Sequence, residues 1–329
     1  MTLRRRAFTA SVAVPFIASR TALAQGVPAG QGLPPGPVKI IVPYSPGSGS
    51  DTIARIAGVK LGERIGHPII VDNRPGASGM LGTDAVVRAA PDGSTLLIAA
   101  NTLVINRSLF PQATFDPLKD LAPIMIAGST QLLLVASTAS GFKTTQDLLQ
   151  AARKAPGKVN YASPGIGTPH HLAMELLKIK TKTFIYHIPY SGAGPAVTGL
   201  LGGQVDVMFL PLTFALAHVK AGKLTALAIG SDKRHSSTPD IPTLAEQGVP
   251  DLNVPSWYGV YGPAALPANL VTQFNGTLRE ILDNADMRDM LAKQGVDAAT
   301  STPADLKALG KKDAARWAEV IRVQNIKAV

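Results

Sequence analysis

The chain has 329 residues, no cysteine and a formal net charge of +10. The lack of cysteine excludes disulfides, thiolate metal sites and cysteine nucleophiles, and a chain of this length has room for two hydrophobic cores. Without the four arginines of residues 1–24 the charge falls to +6. With 5% aromatic residues and no Lys/Arg run above three, nucleic-acid binding is a poor explanation. A moderately basic surface is expected, and it could help to attract anionic ligands.

The first 24 residues have the pattern of an export signal. Residues 4–6 are arginines, residues 7–19 are uncharged, and Ala-Leu-Ala at 22–24 is a cleavage pattern that leaves Gln25 as the mature N-terminus. The uncharged stretch is too short for a membrane-spanning helix, which needs about 20 residues; an N-terminal anchor is the alternative. Residues 5–8 fit a twin-arginine signal, and a Sec signal stays open. We expect a soluble, periplasmic mature protein.

Strands and helices are predicted to alternate along the rest of the chain, after a Gly/Pro-rich linker at residues 25–37. The predicted strands are 38–42, 68–72, 95–100, 132–136, 161–162, 184–188, 205–210 and 225–230. The predicted helices are 51–65, 79–90, 145–155, 169–178, 195–201 and 213–221. From residue 267 onward the pattern is helical, and Trp317 is predicted to anchor a core there. This alternation predicts an α/β fold with parallel-rich sheets flanked by helices.

Three Gly/Ser/Pro loops each join a predicted strand to a predicted helix, at residues 43–50, 163–169 and 190–195. A helix N-terminus offers free backbone N–H groups and partial positive charge, so each loop is a candidate anion site. Hydroxyls and flexible glycines add donors and close backbone approach. The candidate ligand contacts from these loops are Tyr44, Ser45, Gly47, Ser48, Asp51, Ser163, Gly165, Thr168 and Tyr190.

Each candidate also has a structural explanation. Asp51 stands three residues after Ser48, the spacing of a capping box, so its carboxylate is expected to accept from the Ser48 N–H. Tyr190 could equally be a packing residue, and Asp206, at the start of a predicted strand, could contact ligand or close a loop. His171 and Glu175 lie four apart on one helix face, but no third metal ligand is apparent.

No catalytic residue is singled out by the sequence. It has no G-x-S-x-G elbow, Walker loop or Rossmann fingerprint, and no nucleophile with an acid/base partner is indicated. We therefore expect a binding protein without metal, cofactor or enzymatic activity.

The motifs together resemble the substrate-binding proteins of tripartite tricarboxylate transporters, the Bordetella uptake gene family. The resemblance covers residues 38–267 in order and spacing. Its motifs are VPYSPG (42–47) followed by Asp51 and Arg55, DNRPGASG (72–79), PDGSTL (91–96), GIGT (165–168), HLAME (171–175), PYSG (189–192), PDIPTLAE (239–246) and WYGV (257–260).

The resemblance implies a two-lobed periplasmic binding protein that closes on a small organic carboxylate, like a flytrap. Residues 38–130 and 229–329 would form the first lobe, and residues 131–228 the second. The ligand would be held by loop backbone, hydroxyls and water. Contacts in the first lobe would be Tyr44, Ser45, Gly47, Ser48 and Asp51. Facing them in the second lobe would be Ser163, Gly165, Thr168, Tyr190 and Asp206. A membrane permease of the same transporter type is the implied partner, and a monomer is expected.

Two positions depart from the family pattern. Ser48 stands where a glycine is usual, which restricts the backbone and puts the usual loop path in question. Ser191 stands where Lys or Arg is frequent, which leaves room for a bulkier or less negatively charged ligand.

Two other functions are compatible with the same scaffold. An exported hydrolase or phosphate-handling enzyme would be favoured by a Ser–His pair within hydrogen-bond reach. An orphan receptor that signals ligand occupancy to a sensor partner cannot be told from a transport protein by these residues.

Overall fold

The computed structural model of the chain describes residues 32–235 and 237–327. The predicted export signal, residues 1–24, and the first part of the predicted linker lie outside these residues. No helix in the described ranges combines the length and the apolar character needed to cross a membrane. The described strands form two sheets, and helices pack against both faces of each.

The strands agree with the sequence prediction except for three that it did not include, β4, β10 and β11. In chain order they are β1 (Val38–Val42), β2 (Ile69–Asn73), β3 (Thr95–Ala100), β4 (Leu121–Thr130), β5 (Leu132–Ser137), β6 (Asn160–Ser163), β7 (Tyr186–Pro189), β8 (Val207–Pro211), β9 (Leu224–Ile229), β10 (Ser256–Pro263) and β11 (Asp297–Ala298).

Each predicted helix is present, with ends displaced by a few residues, and α3 is an addition. The helices are α1 (Gly49–Ile65), α2 (Met80–Val87), α3 (Thr102–Leu109), α4 (Thr145–Lys154), α5 (Pro169–Thr181), α6 (Ala193–Leu201), α7 (Leu212–Lys220), α8 (Ala268–Leu282), α9 (Ala285–Lys293) and α10 (Pro303–Val323). Short 3-10 turns lie at Ala77–Gly79 and Thr138–Ser140.

The first sheet has the strand order β11-β4-β10-β3-β1-β2. Strand β1 pairs in parallel with both β2 and β3, so that Ile40 lies opposite Val71 on one side and Leu96 on the other. Strand β10 is antiparallel to β3 and β4, and β11 is antiparallel to β4. The sheet is therefore mixed, and its parallel half carries the strand–loop–helix units that the sequence predicts.

The second sheet has the order β7-β6-β8-β5-β9. Strand β6 is parallel to β7 and β8, whereas β5 is antiparallel to β8 and β9. All six residues of β5 are buried, as expected for a central strand covered on both faces by helices.

The chain first crosses from one sheet to the other at Gln131, between β4 and β5. The predicted boundary at residues 130/131 lies at this crossing. After β9, however, the chain stays with the second sheet: Leu244 N–H donates to Ile229 O at 3.0 Å, and Val254 N–H donates to Gly230 O at 3.0 Å. Leu244 and Leu252 are buried in that sheet's core. We therefore propose that the return to the first lobe lies near Pro255 rather than at 228/229.

Candidate functional site

The predicted loops lie at the carboxyl ends of parallel strands in both sheets. In the first sheet β1, β2 and β3 run parallel and lead into α1, α2 and α3. In the second, β6, β7 and β8 run parallel and lead into α5, α6 and α7. Ligands of open α/β sheets bind at this edge. Each sheet therefore presents three helix N-termini at one edge, which is suited to an anionic ligand.

The first loop accommodates serine at position 48 without strain. Ser48 has φ −70° and ψ 159°, an extended conformation open to any residue, and it is the N-cap of α1. Its hydroxyl accepts from Asp51 N–H at 3.3 Å. The left-handed position is Gly47, with φ 81°. The restriction expected from Ser48 is therefore absent, and Ser45 and Gly47 are exposed at the loop tip.

The carboxylate of Asp51 is used by the protein itself. Its oxygens accept from Gly47 N–H at 2.9 Å, Asn73 Nδ2 at 3.0 Å and Arg55 Nε at 3.0 Å, and the residue is 3% exposed. Burial would raise the pKa of Asp51, but these hydrogen bonds and the Arg55 charge outweigh it and lower the pKa below 3.8. The expected acceptor role is present, with Gly47 rather than Ser48 as the donor. Asp51 thus shapes the loop.

Tyr44 is half-buried beside this loop. Its carbonyl oxygen accepts from Asn73 Nδ2 at 3.1 Å, and a Cβ on Gly79 would lie 3.1 Å from Tyr44 Cε1. Burial raises the pKa of Tyr44 to about 12, despite hydrogen bonds with Thr102 and Ala100. The Tyr44 hydroxyl is therefore protonated at neutral pH, and its ring packs against the adjoining loop.

The second loop, residues 163–168, is held by hydrogen bonds that involve its own side chains. The Ser163 hydroxyl is fully buried and accepts from Gly165 N–H at 3.2 Å. Thr168 is the N-cap of α5: its hydroxyl donates to Gly165 O at 2.8 Å and accepts from His171 N–H at 3.4 Å. Gly165 has φ 145° and Gly167 φ 76°, so the loop needs glycine at both positions.

Two further candidates are placed differently by the fold. The Tyr190 ring packs on α6, where a Cβ on Gly199 would lie 2.8 Å from Tyr190 Cζ, which is the packing role. Asp206 precedes β8, and its carboxylate accepts from Asn160 N–H at 2.8 Å, at the start of β6. Asp206 therefore lies at the opposite edge of the sheet from Ser163. It closes a loop, and we leave it out of the proposed ligand contacts.

A segment absent from the predicted contacts joins the two lobes. Ser78 Oγ donates to Ile166 O at 3.2 Å, and Asn106 Nδ2 donates to Ser78 O at 2.8 Å. Ala77 and Ser78 both have positive φ, 45° and 55°, which is costly for residues with a Cβ. Pro75 and the glycines at 76 and 79 mark this turn in the sequence; Asn106, in the middle of α3, gave no signal.

A Ser–His pair is present, and its surroundings do not resemble a hydrolase site. Ser163 Oγ lies 2.7 Å from His187 Nε2. The serine is 0% exposed and bonds its own loop, and none of the described hydrogen bonds joins His187 to a carboxylate. An activated nucleophile needs access to substrate and an oriented base. His171 Nε2 lies 3.9 Å from Glu175 Oε1, and no group of three or more metal-ligating residues occurs in the described ranges.

The fold and the paired strand edges define a two-lobed solute-binding protein. Three solved structures are similar over most of the chain. Rpa4515 of R. palustris with adipate is 28% identical, with a TM-score of 0.84, over 90% of this chain and 99% of that one. The periplasmic binding protein BugD is 28% identical, TM-score 0.81, over 89% and 99%. MatC from Rhodopseudomonas palustris with bound malate is 30% identical, TM-score 0.81, over 88% and 100%.

The family follows from the sequence comparison. Residues 53–326 match the profile described as the tripartite tricarboxylate transporter family receptor. The chain belongs to this family of solute-binding receptors, as its motifs indicated.

Proposed function

We propose that the chain is a periplasmic receptor that captures a small organic carboxylate between its lobes for a tripartite tricarboxylate-type permease. The observation that carries this proposal is the pair of strand edges, each with three helix N-termini, bridged by the Ser78–Ile166 contact. Relatives whose structures hold adipate and malate support the ligand class.

The proposed contacts are the exposed and backbone groups of the two loops: Ser45, Gly47 and Ser48 in the first, and Gly165 and Thr168 in the second. Tyr44 and Tyr190 would border them. Asp51 and Ser163 would act by holding the loops, because both are buried and their polar atoms already have protein partners, whereas Ser48 and Thr168 are half-buried. Charge-assisted hydrogen bonds contribute about 1.5–3 kcal/mol each, so several of them can reach the roughly 8 kcal/mol of a micromolar complex.

We further propose that the protein binds without turnover, that it is a monomer, and that residues 1–24 direct its export. No metal or cofactor is invoked. The buried Ser163–His187 pair is the observation closest to the hydrolase alternative, so ligand integrity after incubation is part of the test.

The experiment is a thermal-shift and calorimetry screen of the mature protein against di- and tricarboxylates that include malate, adipate and citrate. A ligand at 100 times its dissociation constant is expected to add about 2.7 kcal/mol of stability. NMR of the recovered ligand is expected to show it unchanged. A hydrolysed product would support the enzyme alternative, and no stabilisation by any carboxylate would contradict the proposal.

Variants that remove a helix N-cap distinguish an effect on ligand binding from an effect on stability. Thr168→Ala and Thr144→Ala each remove a helix N-cap, at a cost of about 1 kcal/mol. Only the Thr168 variant is expected to weaken binding, because Thr144 caps α4, which begins away from the loops. Ser48→Pro keeps a compatible φ but removes both the cap hydroxyl and the backbone N–H that donates to Ser45 O at 3.3 Å, and it is also expected to bind more weakly. Wild-type affinity in both loop variants would contradict the assignment of the site.

A further inference from the structure

Three stacked rings lie behind the second loop. The His187 ring from β7 is stacked between Tyr161 of β6 and His171 of α5, with centroids 4.6 Å and 4.1 Å away and interplanar angles of 15° and 11°. Tyr161 is 0% and His171 3% exposed. Two imidazoles are thus fixed in orientation by packing at the base of the loop.

Both imidazoles bond the loop at opposite ends. Gly167 N–H donates to His171 Nδ1 at 3.0 Å, in a buried hydrogen bond. His187 Nε2 lies 2.7 Å from Ser163 Oγ, which in turn accepts from Gly165 N–H. Since Gly165 and Gly167 are the two left-handed positions of the loop, the imidazoles hold the residues on which its path depends.

Burial, with the nearby Lys178 charge, keeps the rings neutral. Glu175 accepts from Lys178 Nζ at 2.7 Å and from the Tyr161 hydroxyl. Burial lowers the pKa of His171 to about 2, with further lowering by His187 and Lys178. Burial and Lys178 lower the pKa of His187 to about 4. Because His171 Nδ1 is an acceptor, its proton lies on Nε2, which faces Glu175.

We propose that His171 and His187 are positioning residues that hold the 163–168 loop in its ligand-binding shape as neutral, stacked imidazoles. The proposal rests on the proposed function of that loop in carboxylate binding. In this proposal His171 accepts a hydrogen bond from the loop and is neither a metal ligand nor a catalytic residue. The Ser163–His187 pair then holds the loop in place.

Two matched pairs of variants test it with malate and adipate as probes. His171→Asn keeps an acceptor at the Nδ1 position, whereas His171→Leu removes it and leaves the Gly167 N–H buried and unpaired. His187→Gln keeps a polar atom near Nε2, whereas His187→Phe keeps the stacking alone. By calorimetry, His171→Leu and His187→Phe are expected to weaken binding about tenfold or more, and His171→Asn and His187→Gln less than threefold.

A measurement without ligand separates this proposal from the proposed function. Nitrogen-15 NMR is expected to show His171 as the Nε2–H tautomer. The Gly167 amide is expected to exchange at least tenfold faster in His171→Leu than in His171→Asn, at equal far-UV circular dichroism. If wild type binds neither probe, the proposed function fails for them, while the exchange rates still decide the role of the imidazoles. The proposal would be overturned by an Nδ1–H tautomer of His171 or by equal Gly167 exchange in the two His171 variants. Wild-type affinity in His171→Leu and His187→Phe would also overturn it.

Discussion

At the scale of single residues, Asp51 shows how a polar side chain beside a binding loop can serve the loop alone. Its buried carboxylate accepts from three donors, and replacing it removes a charge-assisted network. We expect Asp51→Asn to lower the free energy of unfolding by about 2–3 kcal/mol at pH 7, since hydrogen bonds to charged groups are worth about 1.5–3 kcal/mol. Urea unfolding followed by circular dichroism measures this.

The matched control is Asp84→Asn, which removes another Asp–Arg pair at i,i+4 spacing, on the solvent side of α2. Surface pairs contribute little, so its cost is expected to stay below about 0.5 kcal/mol. The pKa of Asp51 is lowered on folding. Its stabilisation is therefore complete above its unfolded pKa and lost as the pH falls through the lower folded value. The wild-type advantage over Asp51→Asn should shrink below about pH 4, and an advantage that grows there would contradict this account.

The residues of the candidate site were predictable where local chemistry decides them. The N-caps Ser48 and Thr168 were predictable because each is a hydroxyl residue at the start of a helical pattern. Ser78 and Asn106 were missed because their contacts join segments distant in the chain. Asp206 was predicted as a ligand contact from the family resemblance, whereas the parallel pairing of β6 and β8 places it at the other edge of the sheet from Ser163.

At the scale of elements, the prediction included the strands of the strand–loop–helix units together with β5 and β9, and it missed β4, β10 and β11. Strands β4 and β10 pair antiparallel with each other, with shifts in register, and both contain Gly and Pro, which interrupt a strand pattern. Helix α3 was missed because six of its eight residues are buried, so its sequence lacks the polar face that marks a surface helix. Long-range pairing, which no local pattern carries, decides β4, β10 and the two-residue β11, which pairs with β4.

The two tryptophans show how α10 is joined to the rest of the molecule. Trp257 of β10 donates its Nε1–H to Asp313 Oδ2 at 2.7 Å, whereas the buried Trp317 Nε1–H has no partner among the described residues. Trp257→Phe leaves the buried Asp313 carboxylate without this donor, and we expect the free energy of unfolding to fall by about 3 kcal/mol. Trp317→Phe also removes an unsatisfied group, so its cost should be about 1 kcal/mol. Equal losses in urea unfolding would contradict this assignment.

At the scale of the whole molecule, α3 and α10 belong to both lobes. Leu103 of α3 and Leu306 of α10 pack in a core of the first sheet, while Ile105 and Trp317 pack in a core of the second. The two lobes are therefore connected by packed helices as well as by the crossings at Gln131 and near Pro255. Such connections favour a hinge motion that brings the two loop-bearing edges together.

This architecture predicts that a bound carboxylate narrows the spacing of the lobes. The chain has no cysteine, so spin labels on Glu63→Cys in α1 and Arg153→Cys in α4 report one distance without background. Both positions are exposed. We expect the most stabilising carboxylate of the screen to shorten and narrow the distance distribution, because the ligand bonds both loops and so favours the closed state.

A second pair of labels, on Glu63→Cys and Lys293→Cys, lies within the first lobe, where α1 and α9 pack on one core. Its distance is expected to stay constant, since closure moves the lobes as units. If saturating ligand changes neither distance, the lobes do not close on the ligand. If both change, the motion lies within the first lobe and not at the hinge. Only a change confined to the inter-lobe pair of labels fits a receptor that closes the strand edge at Ser48 against the strand edge at Thr168.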